Sequence, residues 1–139
     1  MRKWVALMAL AALVVCMLPS VSFTEDRDTV LLARTIYALG KNERYETKLA
    51  LGTVVMNRVN NAWFADTLGE VLAEQHQFPA GSRYDSESLE AAHAVLSGQR
   101  ALDQSALYYQ PVDASEPWDD TFYLETVGGY RFFCGDGNL

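Results

Sequence analysis

Near Gly98 the apolar residues of this chain change their spacing. Before it they recur every three or four positions, and after it they alternate or run in short blocks. The first spacing gathers side chains on one face of a helix, the second on the faces of a strand. Helices first and a small sheet last make an α+β fold.

Leu32, Ile36 and Leu39 mark a first helix. It is expected to open at Thr29 under an Asp28 cap and to close at Gly40, where a left-handed residue is common. A charged loop over 41–46 leads to a second helix over 47–59, striped by Leu51, Val54, Val55 and Val59 and ended by Asn60-Asn61. Trp63 and Phe64 read as lids on the core. Thr67-Leu68-Gly69-Glu70 is a capping box opening a short third helix. A loop with Gln75-His76-Gln77-Phe78-Pro79 precedes a fourth helix over 86–97, carrying Leu89, Ala92 and Leu96 and stopped by Gly98. Segments 107–110, 122–125 and 130–133 read as strands. There is no internal repeat and no linker, so one domain is expected.

The first residues stand apart. Arg2 and Lys3 precede an apolar run over 4–18, followed by Pro19-Ser20-Val21-Ser22. That is the layout of a secretory signal peptide. The run is shorter than the roughly 20 apolar residues of a spanning helix. The expected organisation is a signal peptide over 1–22 and one domain over 23–139, secreted or extracytoplasmic in the cell envelope, with an uncleaved anchor as the alternative. Val15 before Cys16 disfavours a lipid-attachment site. Cleavage would leave Cys134 without a disulfide partner, so the domain must rest on its apolar core. Cys134 itself reads as incidental in a mobile, glycine-rich tail. Net charge is −7 and becomes more negative when Arg2 and Lys3 leave. That argues against nucleic acid and anionic membrane surfaces as partners. His76 and His93 lack metal-ligand spacing, and no glycine loop cradles phosphate. No metal and no cofactor are expected, and the domain reads as a monomer.

Several short runs, in order, carry a resemblance. They are Leu31-Leu32-Ala33-Arg34, Glu43-Arg44-Tyr45-Glu46, Val54-Val55-Met56-Asn57-Arg58-Val59, Gln75-His76-Gln77-Phe78, Ala106-Leu107-Tyr108-Tyr109 and Gly129-Tyr130-Arg131-Phe132-Phe133. Together they resemble the spore cortex-lytic, SleB-like cell wall hydrolase family. The resemblance implies a lysozyme-like fold and peptidoglycan glycan strands as substrate. It implies a peptidoglycan hydrolase or lytic transglycosylase, in which one carboxylic acid protonates the glycosidic oxygen. Such an acid must keep its proton at working pH. By the same resemblance, the helix-end position of the family's catalytic glutamate falls on Leu39, and a histidine of its closing strand falls on Tyr130. A non-catalytic peptidoglycan-binding or regulatory envelope protein is therefore the rival reading.

Glu43, at the family's second acidic position, is the candidate catalytic acid. Its ordinary alternative is a loop carboxylate that caps the next helix or pairs with Arg44 or Lys48. Glu46 suits the positive end of a helix dipole. Gln77, Phe78, Tyr108, Tyr109 and Tyr130 are the candidate substrate-binding residues. Gln77 and Phe78 resemble the family's substrate-lining loop, with Phe78 plugging the core and Gln77 bonding backbone as the alternative. The tyrosines carry rings with polar tips that suit sugar faces. At strand spacing about half of such tyrosines turn into the core instead. Asn57 and Arg58 read as scaffold polars tying the second helix to loops. Asp113, Glu116, Asp119 and Asp120 read as a solvated acidic loop.

Overall fold

The computed structural model describes residues 25–135, so the expected signal peptide and Cys16 lie outside the described residues. Four helices come first: α1 (Arg27–Gly40), α2 (Tyr45–Val59), α3 (Leu68–Ala73) and α4 (Ser86–Leu96). Three strands follow: β1 (Tyr108–Pro111), β2 (Tyr123–Val127) and β3 (Tyr130–Phe133). The α+β order read from the spacing is the order observed. No helix among the described residues is long and apolar enough to cross a membrane.

The helix ends show which local signals carry. Thr67 Oγ1 accepts the Glu70 amide at 3.3 Å, and Asp85 Oδ1 accepts the Ser88 amide at 2.8 Å. Both are side-chain N-caps. The cap of α1 is Asp26 rather than Asp28: its carboxylate takes the Thr29 amide at 3.0 Å and the Thr29 hydroxyl at 2.6 Å. Gly98 ends α4 with φ +106°. Gly40 has no such role. It stays helical and buried, and a Cβ there would press Leu51 Cδ1 at 3.1 Å. Its smallness serves the approach of α1 to α2.

The core explains the weak stripe of α2. That helix is buried on most of its circumference, including Ala50, Gly52 and Val54. One side joins Val55 to Leu32 and Ile36 of α1 and to Ala91, Ala92 and Val95 of α4. Its other side packs Ala50, Leu51 and Val54 against Tyr130 and Phe132 of the sheet. Thus Val55 meets α1 and α4, whereas Leu51 meets both the end of α1 and the sheet. Lys48 is also buried, and its ammonium lies 2.8 Å from Glu87 and 4.0 Å from Asp85. A buried charge without such partners would be strongly destabilising. Trp63 is not a lid: it is 57% exposed, and only its neighbour Phe64 packs inward.

The sheet is antiparallel in the order β1-β3-β2, so the last strand is the central one. Tyr109 faces Phe132, and Val127 faces Tyr130 across the hairpin. Gly128-Gly129 makes the two-residue turn, with Gly128 at φ +55°, as tight hairpins require. Cys134 does not begin a free tail; its amide donates to the Phe122 carbonyl at 2.9 Å and carries the pairing past β3.

Candidate functional site

The site begins where α1 ends. The Glu43 amide donates to the Gly40 carbonyl at 3.0 Å, which turns the α1–α2 loop back on itself. The Glu43 carboxyl is thereby aimed at the β2–β3 hairpin, where its Oε2 accepts the Gly129 amide at 3.2 Å. A side chain at Gly128 would collide with Thr47 Oγ1 and Glu43 Oε2, and one at Gly129 with Glu43 Oε1. The glycine pair therefore lets backbone close directly on the carboxyl. Glu43 is half-buried. It does not pair with Lys48, which is held by Glu87, and the α2 N-cap makes no side-chain capping bond.

Tyr130, the next residue after that turn, donates its hydroxyl to the Leu39 carbonyl at 2.6 Å. This satisfies one of the carbonyls left open at a helix C-terminus. Burial pushes the phenol above its ordinary value, and the negative charges of Glu43 and Asp113 add to the effect. Leu39, Glu43 and Tyr130, singled out separately in sequence, thus meet at one place. Leu39 itself is half-buried and packs against the α2–sheet cluster.

From Tyr130 an aromatic row runs across the sheet face. Its ring meets Tyr109 edge-on at 5.9 Å, and Tyr109 stacks on Phe78 at 5.5 Å. The Tyr109 hydroxyl donates to the Gln77 carbonyl at 2.6 Å, and burial pushes that phenol up to about 12. Arg58 anchors the far end. Its Nε donates to the Leu107 carbonyl at 2.7 Å and its Nη1 to Gln77 Oε1 at 3.0 Å. Its guanidinium lies 4.8 Å from the Phe78 ring, 4.9 Å from Phe64 and 5.2 Å from Tyr108. Desolvation lowers its pKa, an effect opposed by Glu74. A hollow of about 200 Å³ opens there, bordered by Arg58, His76, Gln77, Tyr109 and Trp118. His76 holds a left-handed φ of 62° beside it, an uncommon state in which histidine is enriched.

The five candidate binding residues are therefore contiguous, but unequal. Tyr108 is 3% exposed and gives nearly all its surface to the core with Leu107 and Phe133. Tyr109 and Tyr130 have their hydroxyl protons on backbone carbonyls. Tyr109 is half-buried, whereas Tyr130 is only 9% exposed and belongs to the α2–sheet core, so it offers a ligand little surface of its own. Gln77 and Phe78 are half-buried. Asn57 and Arg58 are the scaffold ties expected of them, Asn57 Nδ2 donating to the Asp103 and Ala106 carbonyls at 2.9 and 3.0 Å. What sequence reading missed is the grip of the Gly128-Gly129 turn on Glu43. The paired glycines were visible, but a contact across 86 positions leaves no local trace. The acidic loop is solvated as expected, all four of its acids being exposed, with Asp120 paired to Arg131 and Asp119 accepting the Thr121 amide at 2.9 Å.

The chemistry open to this arrangement is narrow. One carboxyl is fixed through Oε2, and its Oε1 makes no hydrogen bond within the described residues. The Tyr130 phenol, bonded to the Leu39 carbonyl, lies near it, and the Tyr109 and Phe78 rings continue from Tyr130. Proton donation to, or recognition of, a polar ring-shaped ligand fits such a strip.

Known proteins share this framework. The sequence model of the Cell Wall Hydrolase family matches residues 42–133. The spore cortex-lytic enzyme of Oceanobacillus iheyensis is 34% identical over 125 residues, covering 84% of this chain and 45% of that protein. The enzyme of the same name from Bacillus subtilis is 34% identical over 99 residues, 67% of this chain and 32% of that one. The chain thus spans less than half the length of these curated relatives. Among solved structures, the catalytic domain of the Bacillus cereus SleB protein superposes with a TM-score of 0.70 at 24% identity, over 81% of this chain and 93% of that one. The catalytic domain of the germination-specific lytic transglycosylase SleB from Bacillus anthracis gives 0.69 at 23%, over 81% and 99%. The shared fold is the lysozyme-like arrangement of helices followed by a small antiparallel sheet.

Proposed function

Because the chain belongs to the cell wall hydrolase family, we propose that it acts on the glycan strands of peptidoglycan, outside the cytoplasm, with Glu43 as the acid. The observation that carries this reading is the Glu43 carboxyl, fixed by the Gly129 amide and set beside Leu39 and Tyr130 at the head of an aromatic strip. Oε1 is the oxygen that would carry the proton. Protonating the glycosidic oxygen makes it a competent leaving group while the sugar becomes oxocarbenium-like. The strip Tyr130, Tyr109, Phe78 and Gln77 would hold the sugar chain, with Tyr108 and Arg58 supporting it from beneath.

A second reading is favoured by Leu39. The family resemblance places the usual glutamate there, and leucine donates no proton. In that reading the chain binds glycan without cleaving it. General acid catalysis is worth about 10²–10⁴-fold in rate, so the two readings separate in one assay. Release of soluble fragments from purified peptidoglycan is measured beside co-sedimentation with it. We expect weak release by the wild type, loss of that release in Glu43→Gln with binding intact, and a gain in Leu39→Glu. Robust release that survives Glu43→Gln would place the acid elsewhere. Binding with no release, restored only by Leu39→Glu, would select the second reading.

A further inference from the structure

Arg34 lies in α1 outside the strip just described, and its Nε is buried with no hydrogen-bond partner. Its guanidinium forms no ion pair among the described residues. Leaving such a donor unsatisfied is costly, so the position needs a physical reason. Arg34 borders a hollow of about 200 Å³ whose other walls, among them Leu31, Leu72, Pro79 and Ala80, are mostly apolar and small. Gly81 closes it, so near the Arg34 carbonyl that any side chain there would collide. Ala80 and Gly81 also border a second hollow of about 200 Å³ that holds Lys41 and Arg83. The Arg83 guanidinium rests 5.6 Å from the Tyr37 ring. Lys41 and Arg83 likewise form no ion pair among the described residues. Three cations without carboxylate partners share one edge of a molecule whose net charge is −7.

This pattern selects its ligand. A lone phosphate is best held by several donors converging on one point, but Arg34 and Arg83 border separate hollows. Small apolar walls beside one guanidinium suit a carboxylate carried on a small apolar group. We infer that this edge is a seat for a short acidic peptide ending in a small apolar residue, its terminal carboxylate on Arg34 and a further carboxylate on Arg83 or Lys41. The inference rests on the proposed action on peptidoglycan and names that polymer's peptide branches as a second part recognised. Lys41 follows Leu39 by two positions, so the seat adjoins the Glu43 site through the end of α1.

The probe is D-alanyl-D-alanine, titrated into the purified chain and followed by NMR at the amides of Gly69, Ala80 and Gly81 and at the Arg34 side chain. We expect saturable shifts confined to those positions. The same dipeptide with an amidated C-terminus should bind about tenfold more weakly, as should Arg34→Gln, the size of one charge-assisted hydrogen bond. Arg83→Gln, on an exposed residue, should weaken an acidic tripeptide ending in D-alanyl-D-alanine by a few-fold and keeps the test open if Arg34→Gln does not fold. Equal binding of acid and amide, equal competition by inorganic phosphate, or no response at these amides would overturn the seat. Dipeptide binding with no fragment release from any variant would sink the proposed cleavage and keep the seat. Fragment release without dipeptide binding would do the reverse.

Discussion

Tyr109 joins the strip to the loop above it, and its hydroxyl proton on the Gln77 carbonyl makes it sensitive to alkali. The phenol is raised from 10.0 to about 12 because burial disfavours the phenolate. A raised pKa means that the folded state holds this proton more tightly than the unfolded chain. The stabilisation is whole below about pH 10 and is lost as pH climbs through about 12. Tyr130 shifts in the same direction for the same first cause. Tyr109→Phe should therefore cost about 1 kcal/mol at neutral pH, by stranding the Gln77 carbonyl, yet flatten the fall of the thermal midpoint above about pH 10. Parallel falls in both proteins would show that another group controls alkaline unfolding. At this scale the sequence told which residue types matter but not their partners. Tyr109 and Tyr130 were legible as polar-tipped side chains, while their acceptors are the backbone carbonyls of Gln77 and Leu39, placed only by the fold.

Elements were legible where local chemistry decides them. The Thr67 N-cap, the Asn60 helix end and the Gly98 stop all follow from bonds within a few residues, although the Glu70 side chain does not return the bond that a full capping box requires. Misreadings arose where packing decides. Gly40 serves a close approach to Leu51 instead of ending α1 in a left-handed turn. The same packing sets the cost of damage. Leu32 is fully buried between α1 and α4, in one cluster with Ile36, Val55 and Val95. Leu32→Ala should lower unfolding free energy by about 2–5 kcal/mol, read from the denaturant midpoint. A change close to zero would mean that the site collapses around the lost methyls and that the α1–α4 contact is softer than its geometry.

At the scale of the molecule, the export proposal concerns residues 1–22, and its check is the mass of protein recovered outside the cell. A start near Phe23 is expected, whereas intact Met1 in the membrane fraction would identify an anchor. Whole-chain order also has a meaning in time. The central strand of the sheet is the last one synthesised, and it brings with it both the Gly129 amide that grips Glu43 and the hydroxyl that holds the Leu39 carbonyl. Helices α1 to α4 can form while translation continues, since domains fold from the N-terminal side during synthesis. Strands β1 and β2 cannot pair with each other and must wait for β3 to enter between them. A nascent chain therefore carries Glu43 on an open loop until β3 has left the ribosome. The proposed acid is thus held in place only after all four helices have been synthesised.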